Sequence, residues 1–392
     1  MKKPTFKHAE KCIRSFLSIL MFLSITSCSD DKASKPGFVI DNIAAENSYQ
    51  ISKNREIQLP GNGFQIGDMI RLTDTGISHN TYWIEPDIDN EKAVFILPNN
   101  FIESEYYISI IRGNSEFTYG QARFYIEYMP LKILSFNIRV DQQADGDNRW
   151  ENRAKAVTSM MKDIAPTVIG FQEVQPHQLT YLAKTHPEYA WYGIGRDTGN
   201  VPPETDSYNP EECMAIFYRR DELKLIDKGT FWLSETPEIP SKGWDAAYPR
   251  TCTWCLFESQ KQPGIRFLHF NTHLDNKGSE ARAESMKLIE QQIKTINTEG
   301  LPTLLTADFN SDVSSSIFSG IKRFMSEARA QAPVSDNKPS YNGYGNSSGS
   351  IIDHIFTTQD IVLERFKTID ANYENIPYIS DHYPVCVEAK IL

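Results

Sequence analysis

The sequence predicts an α/β protein in which two packed, mixed or antiparallel β-sheets are flanked by helices as a four-layer sandwich, preceded by a small β-sandwich. Three observations lead there. Between residues 131 and 392 there are more short apolar runs than one sheet holds comfortably, and helical periodicity appears in few places. From 37 to about 130 the chain reads as strand upon strand with turn residues between and no helical stripe. Acids, amides and histidines recur at the ends of the later runs, which is how buried strands deliver polar groups to one edge.

Taken in order, residues 1–27 read as a secretory leader. Lys2, Lys3, Lys7, Lys11 and Arg14 supply its positive end, residues 16–25 a short apolar segment, and Ile25-Thr26-Ser27-Cys28 a small-residue cleavage site. The apolar run is too short to span a bilayer as a mature helix. The tetrapeptide resembles the bacterial lipobox, which implies a lipidated Cys28, a polar tether over 28–36 and an outer membrane lipoprotein on the cell surface or in the periplasm. The membrane is then touched through that lipid only. A non-lipidated leader is the alternative. Ser29-Asp30-Asp31 resembles the acidic tag of surface-exposed lipoproteins.

Residues 37–130 hold period-two runs at 56–64, 93–98 and 105–112, the basis of the small sandwich. Gly61-x-Gly63-Phe64 followed by Gly67-Asp68 resembles immunoglobulin-like modules placed ahead of catalytic domains in secreted bacterial proteins. No catalytic constellation lies in it, so a spacer is expected, with glycan binding as the sharper alternative. After Pro130 the spacing predicts strand 131–138, a helix over 151–164 carrying Ala154, Val157, Met160, Met161 and Ile164 on one face, strand 168–171 and a short helix over 178–184. Strands follow at 189–194, 214–218, 225–233, 251–257 and 266–273, then a helix over 279–296 and strands at 301–307, 351–357, 361–369 and 383–392.

The 392 residues carry 40 Lys and Arg against 51 Asp and Glu, a formal charge of −11; residues 131–392 alone count 27 basic and 35 acidic, or −8. That argues against a broad nucleic-acid footprint, which needs a basic face to release counterions. A monomer is expected. Cys252-x-x-Cys255 has no second pair and sits in a strand, where residues three apart face opposite sides and cannot share a metal. With Cys213 and Cys386 these cysteines read as core fillers, a disulfide remaining open.

The polar strand ends occur in the order Ser135-Phe136-Asn137, Gln172-Glu173, Asn271-Thr272-His273-Leu274, Asp308-Phe309-Asn310, Ile352-Asp353-His354 and Ser380-Asp381-His382. Six motifs in this order resemble the endonuclease/exonuclease/phosphatase superfamily over residues 131–392, the group that includes pancreatic-type deoxyribonuclease and bacterial sphingomyelinase. Arg149-Trp150-Glu151-Asn152-Arg153, Gly229-Thr230-Phe231-Trp232-Leu233-Ser234 and Gly243-Trp244-Asp245 are similar to a bacterial branch for which membership implies chemistry and not a substrate.

The resemblance implies a Mg²⁺-dependent phosphoesterase, with Mn²⁺ as a possible substitute, cleaving a phosphodiester or phosphomonoester by in-line attack of water on phosphorus. Glu173 and Asn137 are oxygen donors suited to Mg²⁺, completed or supported by Asp381. Asp308 and Asn310 would orient the water and the phosphate, and His382 would sit against the phosphate, held by Asp353. His273 would pair with Glu212, although the adjacent Glu211 leaves the register open. Arg250 is placed like a phosphate-contacting arginine, and a surface salt bridge is an equal reading. The diester is preferred on family grounds; phosphorylated glycan, phospholipid headgroup and extracellular nucleotide or nucleic acid are the substrate alternatives. A catalytically inactive binding protein on the same fold would have substituted some of these positions, and none is substituted. Residues 197–210 and 337–349 are the expected rim loops, and aromatics at Trp191, Tyr192, Phe231, Trp232, Trp244 and Tyr248 the expected source of a sugar-sized pocket wall.

Overall fold

A computed structural model describes residues 39–391 apart from 42, 52–54, 77–79, 90 and 348. The leader, Cys28 and the tether lie outside the described residues. Among the described residues no helix is long and apolar enough to cross a membrane.

The first eight strands are β1 Ser48–Gln50, β2 Glu56–Pro60, β3 Met69–Asp74, β4 Thr81–Ile84, β5 Asp87–Asp89, β6 Lys92–Ile96, β7 Ser104–Arg112 and β8 Ser115–Tyr125. They form a five-stranded sheet, β1-β8-β7-β3-β4, and a three-stranded one, β2-β6-β5. Period-two burial, as in β3 where Ile70, Leu72 and Asp74 turn inward, sends both sheets into one apolar core around Tyr106 and Phe124.

The remaining strands make two six-stranded sheets. The first runs β11-β12-β10-β9-β20-β19, built from β9 Met129–Asn137, β10 Val168–Val174, β11 Tyr189–Tyr192, β12 Cys213–Arg219, β19 Ile361–Thr368 and β20 Val385–Ile391. The second runs β13-β14-β15-β16-β18-β17, built from β13 Leu223–Trp232, β14 Thr251–Ser259, β15 Arg266–His273, β16 Thr303–Asp308, β17 Ser326–Glu327 and β18 Asp353–Thr357. Each sheet holds one parallel pair, β9 with β10 and β15 with β16, among antiparallel neighbours. Helices α1 Trp150–Ile164 and α2 Pro176–Thr185 cover the first sheet through Val157, Met160 and Leu179, and α3 Ser279–Ile296 covers the second through Met286, Ile289 and Ile293. A short α4, Ala328–Gln331, packs its Ala328 into the inter-sheet core.

Between the sheets lies a third apolar layer: Leu131 and Ile133 from β9 meet Phe257, Phe267 and Leu304. Cys252 and Cys255 confirm the strand geometry expected of them, one in the core under α3 and the other between the sheets. Cys213, Cys252, Cys255 and Cys386 are all free and buried.

Toward the ends of the parallel strands this layer turns polar. Asn271 of β15 donates through Nδ2 to the carbonyls of Phe171 (2.8 Å) and Ala215 (3.2 Å) on the other sheet. Its Oδ1 accepts from Gln172 Nε2 (2.7 Å) and Thr306 Oγ1 (3.0 Å). Gly170 is required at the crossing, because a Cβ there would meet Thr306 Oγ1 at 2.1 Å and Asn271 Oδ1 at 2.5 Å.

Candidate active site

Eight strand ends meet at one edge of the two sheets. Four strands leave there, delivering Asn137 at the end of β9, Glu173 in β10, His273 at the end of β15, and Asp308 at the end of β16 with Asn310 beyond it. Four strands begin there, preceded or opened by Glu212 (β12), Arg250 (β14), Asp353 (β18) and Asp381-His382 (β20). This corrects the expectation for Asp353: Ile351 and Ile352 precede the strand, and the carboxylate opens it, directly opposite Asp308 in the antiparallel pairing. The cleft between these ends has a volume of about 510 Å³. Glu173, Glu212, Arg250, His273, Asp308, Asn310, Asp381 and His382 line it, and Asn137 and Asp353 stand behind them.

Local backbone shape aims these groups. The β10–β12 pairing is irregular between Phe171 and Val174, and Glu173 within that bulge has φ of +60°. Asn310 (+49°) and Arg139 (+65°) also sit in the left-handed region. For non-glycine residues such conformations cost on the order of 1–3 kcal/mol each and persist where surrounding bonds enforce them. Here the bonds are visible. Arg139 N–H donates to Asn137 Oδ1 (3.0 Å), Val140 N–H to Glu173 Oε2 (3.1 Å) and Asn310 N–H to Asp308 Oδ1 (2.9 Å). The buried Arg153 guanidinium donates to the carbonyls of Ile138, Arg139 (2.8 Å), Val140 (3.4 Å), Asn148 (2.9 Å) and Ile379 (3.1 Å), tying the turn after β9 to the segment before Asp381.

His382 is clasped as expected. Its Nδ1 lies 2.8 Å from Asp353 Oδ2 and its Nε2 3.6 Å from Asp308 Oδ2. Burial alone would lower its pKa, but Asp353 and Asp308 push it up to about 10, so the ring is an imidazolium at neutral pH. Burial and the nearby Asp353 in turn raise Asp308. His273 is the opposite case. Burial, then the positive charge of Arg250, His382 and Arg196, hold it well below the usual histidine range. Its Nε2 lies 2.9 Å from Asn310 Nδ2 and 3.2 Å from Asp308 Oδ2, and its Nδ1 has no hydrogen-bond partner and stands 4.0 Å from Glu173 Oε1. Two imidazoles of opposite protonation in one cleft are the arrangement that separates acid from neutral roles.

The structure corrects three further expectations. Glu212 does not hold His273: its Oε2 accepts from Arg196 Nη1 at 2.6 Å, and Arg196 is itself fixed by a backbone bond to Glu212 and by Trp232 Nε1. Arg250 is no surface pair: it is buried, its Nε 3.3 Å from the buried Asp275. Asn137 turns its amide nitrogen toward Glu173 Oε1 (3.0 Å) and Asp308 Oδ2 (2.9 Å), its oxygen being taken by Arg139 N–H, so it bridges the two carboxylates. Of the expected rim loops, 337–349 supplies Tyr341, whose ring packs edge-on to His382 at 5.1 Å, whereas 197–210 contributes no lining residue beyond the adjacent Arg196. Of the six aromatics named, Tyr248 alone lines the cleft.

Arg139, Arg196 and Asp275 were not singled out from the sequence. Arg139 stands two residues beyond Asn137 and bonds Asp145 and, at 3.3 Å, Asp381. A cation two residues past a strand-end amide was the available signal. Asp275 accepts from the N–H groups of Lys277 (3.0 Å), Gly278 (2.8 Å) and Tyr248 (3.3 Å), a bonding role that no spacing announces.

The donor set suits a divalent cation. Glu173 and Asp381 are carboxylates facing one cleft. Burial raises Asp381 and the Glu173 charge adds to it; in Glu173 burial is outweighed by Arg139, Asn137 and His382, which lower it. Like charges held together this way are relieved by a cation. The cluster Asp308, Asp353 and His382 also brings one ligand atom each within 4.8 Å of one another.

Acid, amide, imidazole and guanidinium groups at eight strand ends define a phosphoester-hydrolase centre. The sequence profile of the Endonuclease/Exonuclease/phosphatase family matches residues 134–382, and the chain belongs to that family. Its members are hydrolases acting on phosphoester bonds and are generally dependent on a divalent metal. Among similar proteins, an endonuclease/exonuclease/phosphatase of Bacteroides vulgatus superposes with a TM-score of 0.62 at 30% identity over 67% of this chain and 100% of its own. The mannosyl-6-phosphatase of Bacteroides thetaiotaomicron superposes with a TM-score of 0.59 at 34% identity over 66% of this chain and 99% of its own. An uncharacterized protein of Acanthamoeba polyphaga mimivirus is 24% identical over 276 residues, 66% of this chain and 99% of its own.

Proposed function

We propose that the protein is a Mg²⁺- or Mn²⁺-dependent phosphomonoesterase acting on a phosphorylated sugar outside the cytoplasm. The observation that carries this reading is His382, its Nδ1 2.8 Å from Asp353 and its Nε2 3.6 Å from Asp308, facing the same cleft as Glu173, Asp381 and Arg250. Arg250 uses Nε for Asp275 and keeps its Nη groups for the substrate phosphate, with Asn310 and His382 as further donors. A monoester dianion uses the cationic pair Arg250 and His382 more fully than a diester, and the 34%-identical relative bears the name of a sugar phosphatase. The diester is therefore the second choice. Glu173 and Asp381 would hold the metal with Asn137 beside them, and the ion would supply charge neutralisation at the phosphoryl oxygens. Asp308, whose pKa burial raises, would in its ionised form take the proton of the attacking water, and His382 would hold the phosphoryl oxygens.

Lipidation at Cys28 and a spacer role for the immunoglobulin-like N-terminal unit complete the proposal: the catalytic unit would stand off a membrane surface as a monomer. Labelling by fatty acid that disappears in Cys28→Ala is the expected result for the anchor. For the chemistry, p-nitrophenyl phosphate and bis-(p-nitrophenyl) phosphate are compared with metal and with chelator. Chelator-sensitive turnover, monoester faster than diester, and a loss of a hundredfold or more in His382→Ala are expected; unchanged turnover in that variant would sink the assignment.

A further inference from the structure

The pairing of Glu212 with Arg196 instead of His273 leaves a charged couple in the cleft wall that phosphate chemistry does not use. Arg196 spends Nη1 on Glu212 Oε2, while its buried Nε has no hydrogen-bond partner and stands 3.8 Å from Asp197 Oδ2, and Nη2 has no hydrogen-bond partner among the described residues. Glu212 Oε1 is likewise without a partner among the described residues and belongs to a side chain 13% exposed. The couple is rigid: Arg196 N–H bonds the Glu212 carbonyl (2.9 Å), and Trp232 Nε1 bonds the Arg196 carbonyl (2.7 Å). Beside it stands Tyr248, half exposed, its ring 5.2 Å from the Arg196 guanidinium and 5.8 Å from that of Arg250. All four residues line one cleft.

A fixed acceptor next to a fixed donor fork matches two neighbouring hydroxyls, one giving a proton to the carboxylate and the other accepting from the guanidinium. An exposed aromatic face alongside supplies the apolar contact that a sugar ring's C–H face seeks. A lipid tail would find no apolar wall here.

We propose that Arg196, Glu212 and Tyr248 form a leaving-group subsite that takes the vicinal hydroxyls of a sugar ring whose phosphate is held at Arg250 and His382. The inference rests on the phosphoesterase reading and names what that site selects. Tyr248 and Glu212 act on the leaving group, so they are specificity residues.

The test compares kcat/KM of the mature full-length chain with Mg²⁺ on hexose 6-phosphates and 1-phosphates and on p-nitrophenyl phosphate, an aryl ester with no diol. The wild type is expected to prefer at least one hexose phosphate, and Tyr248→Ala and Glu212→Gln each to reduce that preference at least tenfold. Free hexose should weakly protect the wild type against thermal unfolding in the presence of chelator and fail to protect Tyr248→Ala. An equal loss on the aryl and sugar esters, or no loss on either, overturns the subsite. A wild type that hydrolyses the aryl ester but no hexose phosphate overturns the subsite and leaves the hydrolase standing; one that hydrolyses neither overturns both.

Discussion

The layer between the two large sheets has two ends built from different materials. Away from the cleft it is apolar, with Leu131, Ile133, Phe257 and Phe267 in contact. Toward the cleft the same interface is a buried polar net of Ser135, Gln172, Asn271 and Thr306. The apolar end holds the sheets together through area alone and tolerates sideways slip. The polar end bonds one sheet to the other through Asn271 and so fixes the register at which Asn137 and Glu173 of one sheet face His273 and Asp308 of the other. Adhesion and alignment are thus separated along a single interface.

Substitutions can break that separation. Phe267→Ala at the apolar end should have the largest effect on stability, a loss of about 3–5 kcal/mol, read by denaturant unfolding, with the activity of the folded fraction retained. Asn271→Leu takes the side-chain donor from the Phe171 and Ala215 carbonyls and the shared acceptor from Gln172 and Thr306, for roughly 1–3 kcal/mol; it should lose activity beyond its loss of folded protein. Were Asn271→Leu to lose stability alone, the alignment role would fall. Gly170→Ala forces its methyl into Thr306 and Asn271 and should cost about 1–3 kcal/mol, again with activity falling further than stability.

Asp275→Asn sharpens the comparison at the rim. Burial opposes ionisation of Asp275, but backbone N–H groups and Arg250 bring its pKa down to about 2, below the ordinary 3.8. Its stabilisation is therefore present above the ordinary carboxylate range and lost as pH falls through the folded value. The wild type should exceed Asp275→Asn by about 2 kcal/mol at neutral pH, the gap closing between pH 4 and pH 2 in thermal scans. At the small end, Lys287→Ala on the exposed face of α3 breaks a 2.6 Å pair with Glu284 and should change stability by less than about 0.5 kcal/mol.

The same division explains what could be read from sequence. Helix α3 appears over the residues its periodicity marks, 279–296, and the strand carrying Asn271 to His273 ends with that polar run, at His273. Both are local signals. The clasp of His382 by Asp353 was legible because the family order names both residues. The partner of Glu212 was not: Arg196 sits 16 residues away in a turn, and only folding decides whether it or His273 receives the carboxylate. Asp275 escaped notice for the same reason, since its ligands are backbone groups that every residue has. Asp353 shows a subtler failure, because an apolar run followed by an acid looks the same whether the strand ends there or begins there.

One feature of the first sheet bears on when the protein can work. β20, the last strand, lies inside the sheet between β9, the first strand of the catalytic unit, and β19. Its register sets Val385 opposite Ser135 and Ile391 opposite Met129, a closure across some 250 residues of chain. A nascent chain lacking those final residues has a gap between β9 and β19 and no Asp381 or His382 in the cleft. Assembly of the hydrolytic centre therefore waits until β20 has been made, and contacts of such long range form slowly. For a chain that we propose to be exported, the delay is an advantage: it can be threaded across a membrane unfolded, with no active esterase forming in the compartment that makes it.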